Sequence, residues 1–423
     1  MTRPNRRQFL AASMALGLAG AAPRRGPLGA NDRVVLGFIG VGGMGSGLLD
    51  IFRRMPDVDV AAVCDLDPSR LDKAKAAAGG KVDAVEDYRR VLDRRDITAV
   101  VVATPDHWHA IPTILACQAG KDVYCEKPLA CNIAEGRAMV RAADKYKRVT
   151  QMGNLIHAGE NYHRVVEIVR SGVLGKVTKA RVWMAGQKPR LGNPADGAPP
   201  EGVDYDRWLG PAPTRPFNPN RFHFNWRYYW DYAGGTLTDF CCHIVDPVHW
   251  AMQVDAPATI TATGGRYGPK DNAETPDTLE VLYHYKEGFD LVWSQADTSK
   301  HGFEGKGLGI MFQGTEATLT ADYGTHKLHA EGSAEPVEPP KTLPRSPGHH
   351  REWLDAIKTR AACSCNFEYG QRLSSVGHLG NIALKTGEVI AWDGAAERIT
   401  NRPEANRLLA REIYRPGYAI PEV

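Results

Sequence analysis

The run Gly40-Val41-Gly42-Gly43-Met44-Gly45 follows an apolar strand pattern over residues 34–39 without a break and opens a helical pattern over 44–54. Few local sequences constrain a fold as much. Glycines at 40, 42 and 45 permit a tight turn, let backbone amides approach a ligand and let helix pack closely on strand, while the helix N-terminus favours negative charge. Asp65 closes the next apolar run, Val63-Cys64-Asp65, where a carboxylate can accept hydrogen bonds from ribose hydroxyls. Strand, turn, helix and acid in this register predict a dinucleotide cradle made by Gly40, Gly42, Gly43, Met44, Gly45 and Asp65. A carboxylate at 65 repels a 2′-phosphate, so NAD is preferred over NADP; Arg70 lies near enough to blur that preference.

The rhythm that follows is that of βαβ units. Short apolar runs at 34–39, 58–63, 97–103, 122–125 and 149–152 alternate with helical stretches at 44–54, 68–78, 107–119 and 133–147. After residue 153 the pattern changes. A helix is expected over 161–171 and a strand over 177–185, and residues 186–226, rich in Pro, Gly, Asn and Arg, form a loop long enough to be a candidate lid. A helix over 236–252 then precedes strands at 259–264, 279–285, 289–295, 308–312 and 317–321, with further helices over 349–358 and 371–386. The expected class is α/β: a Rossmann dinucleotide-binding domain over 31–153, an α/β domain with a large, mostly antiparallel open sheet over 154–395, and a ragged tail over 396–423.

Residues 1–30 stand apart. Arg6-Arg7-Gln8-Phe9-Leu10 leads into an uncharged stretch to Ala22, too short to span a bilayer, which reads as a twin-arginine export signal and not a stable membrane anchor. Export through the twin-arginine translocase, in the folded state, to the periplasm or beyond is the expectation. Five arginines and no acid occupy this segment, more than the whole formal charge of +3, so nucleic acid is not implied. Eight cysteines do not imply a disulfide framework here: Cys64, Cys117 and Cys125 sit in core patterns, and Cys363 and Cys365 are poorly spaced for a bridge or a zinc site. No metal is expected.

Three further features carry chemistry. Asp239 and His243, four residues apart, share one face of a helix, so carboxylate and imidazole stand one turn apart. Glu126-Lys127-Pro128 places a lysine at the end of the fifth apolar run's neighbour at 122–125, and Thr104, Pro105 and His109 follow another strand at its carboxyl end, where open parallel sheets hold their cofactors. Asp246 and His249 continue the 236–252 helix, but a metal cluster with Asp239 and His243 would wrap too far around it and Pro247 would disturb it. Arg227 beside Tyr228, Tyr229, Trp230 and Tyr232 suits a carbohydrate or cyclic polyol, with core packing or a subunit contact as the other reading. Tyr162 and His378 are weaker candidates.

Glu126-Lys127-Pro128 together with Gly-Gly-Thr-Leu-Thr-Asp-x3-His at 234–243 resembles the glucose-fructose oxidoreductase / inositol dehydrogenase / MocA family, and the likeness extends over most of residues 33–395. It implies that Lys127 meets both nicotinamide and substrate, with Glu126 beside it, and that Asp239 and His243 act on the substrate hydroxyl. Thr-Pro-Asp-His-Trp-His at 104–109, Trp-Leu-Gly-Pro-Ala-Pro at 208–213, Phe-Asn-Trp-Arg at 224–227 and His-Leu-Gly-Asn-Ile-Ala at 378–383 are similar to a subgroup bearing twin-arginine signals. Asn154 and His157 stand where many sugar dehydrogenases carry an Arg-containing segment, and with Arg227 and Tyr229 they are the expected substrate contacts beside Asp239 and His243. The expected protein is an exported, homo-oligomeric (dimeric or tetrameric) NAD-dependent oxidoreductase acting on a sugar, sugar derivative or polyol. The alternative is an NAD-dependent glycoside hydrolase or lyase working through a transient keto-sugar, and a non-catalytic nucleotide-binding protein ranks below both.

Overall fold

A computed structural model describes residues 33–186, 190–332 and 337–423; the expected twin-arginine segment lies outside them. Six parallel strands, β1 (Val34–Ile39), β2 (Val58–Cys64), β3 (Asp83–Val85), β4 (Ala99–Val102), β5 (Asp122–Cys125) and β6 (Thr150–Met152), pair in the order β3-β2-β1-β4-β5-β6. This is a Rossmann sheet, and it switches direction between β1 and β4, where such sheets bind their ligands. Strands covered on both faces read as unbroken apolar runs, as β4 (Ala-Val-Val-Val, all buried) does. The helix Gly43–Arg53 lays Leu48, Leu49 and Phe52 onto the sheet, and Phe52 meets Phe38, Tyr124 and Trp353 edge-on. Side chains of Asp67 and Asn132 cap the helices Pro68–Ala77 and Ile133–Tyr146. The helix expected over 107–119 is a short 3₁₀ turn, Asp106–Trp108, followed by Ala110–Gln118.

The second sheet has nine strands: β7 (Val177–Ala185), β8 (Thr259–Gly265), β9 (Thr278–Tyr285), β10 (Phe289–Ala296), β11 (Leu308–Gly314), β12 (Ala317–Ala321), β13 (His326–Ala330), β14 (Ile390–Asp393) and β15 (Arg398–Ile399). Their order is β13-β12-β11-β7-β10-β9-β8-β14-β15, antiparallel throughout except where β7 meets β10. Alternation along β9 buries Leu279, Val281, Tyr283 and Tyr285 while Glu280, Leu282 and His284 face out. The buried face carries the helices Gly235–Ile244 and Phe367–Thr386. These approach closely because Gly377 faces Thr238 and Cys241, and Gly380 faces the Tyr283 hydroxyl, which donates to Val376 O at 3.0 Å.

Two expectations are corrected here. The single helix over 236–252 is two, Gly235–Ile244 and Asp246–Met252, because Pro247 has no N–H to give the His243 carbonyl. Residues 396–423 are no ragged tail: β15 extends the sheet, Arg411 donates to Asp231 O at 3.0 Å, the Tyr414 hydroxyl donates to Glu135 at 2.9 Å, and Tyr418 packs edge-on against Trp108. All eight cysteines are free, seven of them buried. Among the described residues no helix is long and apolar enough to cross a membrane.

Candidate active site

A cleft of about 470 Å³ opens at the carboxyl ends of the parallel strands. Its first wall is the glycine turn. Gly40 takes φ +85°, and a Cβ on Gly45 would lie 2.0 Å from Gly40 O, so neither position accepts a side chain without backbone movement. At Gly43 nothing stands within 4 Å, which leaves the start of the helix open to a ligand. Asp65 holds the turn: its carboxylate accepts from Val41 N at 2.9 Å and Asp67 N at 3.0 Å, while still lining the cleft. Burial raises its carboxyl from the ordinary value.

The second wall is the strand ends at 104–109 and 126–127. Thr104, Pro105 and His109 line the cleft, and His109 is pinned by Pro128 O at 2.9 Å and Thr104 O at 3.0 Å. The Thr104 hydroxyl is buried with no hydrogen-bond partner among the described residues. An orphaned hydroxyl, an open helix start and a side-chain-free turn fit a pyrophosphate-linked dinucleotide. Over them lies the loop expected as a lid, contributing Trp208, Phe222 and His223, with Arg227 directly after it, and Tyr418 closes the far end. His223 stands 3.1 Å from Asp67, and a Cβ at Gly42 would meet Arg70 Nη1 at 2.4 Å. Tyr418, the far wall, carries no motif spacing that would announce it.

At the other end of the cleft Lys127 and Arg227 meet Asp239, with His243 one helical turn beyond it. The Lys127 ammonium is ion-paired with the Asp239 carboxylate and donates to Asp239 O at 3.0 Å. Arg227 Nε lies 3.4 Å from the other carboxylate oxygen, its guanidinium stacked 4.3 Å over Trp226. Burial alone would raise Asp239, but Lys127 and then Arg227 outweigh it and hold the carboxyl at about 2. Burial lowers His243, and the neighbouring Lys127 charge lowers it further, to about 3, so the imidazole is neutral at physiological pH. Phe240 flanks it with ring centroids 5.9 Å apart. Lys127-Pro128 is a cis peptide. The buried Asp106 carboxyl, 4% exposed, lines the same cleft and is raised by burial.

Glu126 is buried beside them, accepts from Lys127 N at 3.2 Å, and is pushed up to about 7 by burial. Between pH about 4.5 and 7 the unfolded chain releases a proton that the folded chain keeps, so stability from this group is full below that window and lost as pH rises through it. Glu126→Gln is therefore expected to raise the stability of the cofactor-free protein at pH 8 by on the order of 2 kcal/mol and to change it little at pH 4.5, as read by urea unfolding at both pH values. An equal effect at both would refute this account.

Three expected substrate contacts lie elsewhere. Asn154 donates to Cys242 O and to Asp246, both at 2.7 Å, and His157 Nε2 lies 2.9 Å from the other Asp246 oxygen, which also accepts from Tyr369. Burial would lower His157, but Asp246 overrides it and raises it. These side chains close a buried network around Asp246, and none lines the cleft. Tyr229, 1% exposed, donates to Asn272 at 2.7 Å within the packed lid. Arg227 lines the cleft and reaches Asp239, and His243 follows one helical turn on.

Sequence comparison decides the ancestry: residues 34–154 match the family described as "Oxidoreductase family, NAD-binding Rossmann fold", and residues 163–420 its "Oxidoreductase family, C-terminal alpha/beta domain". The chain belongs to the Gfo/Idh/MocA oxidoreductase family. Its first domain is thus an NAD-binding Rossmann domain, and the cleft lies at the carboxyl ends of its strands. A Glycosyl hydrolase family 109 protein from Shewanella pealeana is 32% identical over 157 residues, 34% of this chain and 34% of that protein; the chain spans about a third of the length of the curated relatives it matches. Among solved structures, the chain resembles the WlbA dehydrogenase of Bordetella pertussis in complex with NADH and UDP-GlcNAcA (TM-score 0.66, 18% identity, 85% of this chain and 99% of that one). It also resembles the aldose-aldose oxidoreductase of Caulobacter crescentus complexed with glycerol (TM-score 0.63, 19% identity, 85% and 99%). At these identities the likeness is one of fold.

Proposed function

We propose that this protein is an NAD-dependent oxidoreductase acting on a CH–OH group of a sugar, sugar derivative or polyol, with Lys127, Asp239 and His243 at the reacting carbon. The observation that carries this reading is the convergence of Lys127, Asp239 and Arg227 at the mouth of the NAD cleft, with a neutral imidazole one helical turn further on. Nicotinamide, when bound, supplies the hydride acceptor or donor. His243, unprotonated, takes the hydroxyl proton. Lys127, kept charged by Asp239, donates a hydrogen bond to the substrate oxygen as negative charge grows there. Asp239 and Arg227 keep that ammonium aimed. NAD is preferred over NADP because Asp65 already carries negative charge at the ribose position, although Arg70 stands beside Gly42.

A second reading has support of its own, since the curated relatives that match are named as family 109 glycosyl hydrolases. Transient oxidation of a ring hydroxyl would acidify the adjacent C–H; loss of that proton with the leaving group forms a C=C bond, water adds across it to replace the leaving group with OH, and return of the hydride to the keto carbon makes the sequence redox-neutral. The same side chains serve both reactions. A screen of free sugars and aryl glycosides on the purified protein separates them: a net rise in NADH absorbance with a free sugar supports dehydrogenation, aryl release without it supports hydrolysis, and neither response across the panel would refute the carbohydrate reading.

Trp208, Phe222, His223 and Tyr418 cover the cleft, so the cofactor is expected to stay with the protein through purification at close to one nicotinamide per chain, measured by absorbance after denaturation. Recovery of nicotinamide-free protein that binds NAD weakly would count against a tightly held cofactor. Arg6-Arg7 with the apolar stretch to Ala22 supports twin-arginine export to the periplasm, and the outward face of the nine-stranded sheet, with Leu282 42% exposed, supports a dimer or tetramer.

A further inference from the structure

Tyr323 occupies the turn between β12 and β13 and leaves 50% of its surface exposed. The turn is firmly built. Asp322 accepts from Gly324 N at 2.9 Å and Thr325 N at 2.8 Å, Lys306 donates to Asp322 at 2.7 Å, and Asn161 donates to Asp322 O at 2.8 Å and Thr325 O at 3.0 Å. Tyr162 supports the ring edge-on at 5.6 Å, and His243 lies 6.4 Å away, inclined at 62°. An aromatic ring held this rigidly yet left wet, beside an imidazole, offers an apolar face to a ligand. Phe240 also packs on His243, with ring centroids 5.9 Å apart.

We propose that Tyr323 is a stacking platform for the C–H face of a cyclic sugar or cyclitol and thereby sets which hydroxyl meets His243. The proposal rests on the carbohydrate reading above. A pyranose resting about 4 Å above the tyrosine face, the usual carbon–carbon contact, presents its rim hydroxyls beside that ring, where the imidazole centroid stands 6.4 Å from the tyrosine's. An open-chain polyol has no such face. The platform therefore selects cyclic over acyclic substrates, and it comes from the second domain's sheet, a source separate from the Lys127 and Asp239 machinery.

The test uses the full-length, NAD-loaded protein and saturation-transfer NMR with the methyl pyranosides of D-glucose, D-galactose and N-acetyl-D-glucosamine, and with D-glucitol as the acyclic control. The expected result is transfer to protons on one ring face, binding at least one pyranoside more tightly than glucitol, about five- to tenfold weaker affinity in Tyr323→Ala, and near-native affinity in Tyr323→Phe. Nicotinamide content and melting temperature, unchanged in both variants, show that the fold is intact. Pyranoside binding as tight in Tyr323→Ala as in the parent, or glucitol bound as well as the pyranosides, would overturn the platform alone. Absence of binding by any pyranoside to the parent would sink the carbohydrate reading and the platform with it.

Discussion

Lys127→Ala is expected to lower turnover by about 10²–10³-fold, the usual cost of removing a preorganised donor to a developing oxyanion. It should also destabilise the protein. The lysine side chain is only 9% exposed and its partner Asp239 18%, so truncation strands a carboxylate that folding had matched with an ammonium. The cost is about 3 kcal/mol, the low end for a broken buried pair, because Arg227 still stands 3.4 Å away. Lys127→Ala combined with Asp239→Asn should recover most of the stability and none of the turnover. This pattern, read by urea unfolding and by single-turnover rates on whichever sugar the screen identifies, separates a group that acts in the reaction from one that only packs. Full activity in Lys127→Ala would end the proposed mechanism.

His243→Ala is expected to cost about 10²–10⁴ in turnover, the range for a lost general base, with nicotinamide still bound. The parent's pH profile gives the sharper test. Burial and the Lys127 charge push the imidazole down to about 3, so it stays unprotonated through the neutral range, and turnover should show no loss centred on 6.5 as pH falls from 8 to 5. The same shift has a stability consequence of definite sign. Below about 6.5 the unfolded chain takes up a proton that the folded chain refuses until about 3, so the contribution of this group to stability falls as pH falls through that window. An activity limb near 6.5 that disappears in His243→Ala would show the imidazole to be solvated and the burial account to be mistaken.

Much of the fold was legible because the residues that make it are local. The bounds of β1, β5, β7 and β12 coincide with the apolar runs, and the glycine turn marks the β1-to-helix junction. Strands β3, β13, β14 and β15 escaped: they are short, partly exposed, and exist because a neighbouring strand offers a free edge, which periodicity within one segment does not register. The site divides along the same line. Lys127, Asp239 and His243 sit in recognisable motifs, but the ion pair that joins the first two spans 112 residues of sequence. Asn154 and His157 attracted a substrate role because they stand where many sugar dehydrogenases carry an Arg-containing segment; Asp246, 89 residues beyond His157, claims both. Tyr323 gave no signal, since a tyrosine in a hairpin turn is ordinary until the fold brings an imidazole beside it.

The cleft that Gly40 opens is closed by Tyr418, anchored through Arg411, Tyr414 and Arg415 to the lid and to the first domain. These two walls stand far apart along the chain. The cleft therefore lacks a side until β15 and the segment beyond it have docked against the first domain. A complete cleft thereby reports on the folding of both domains at once.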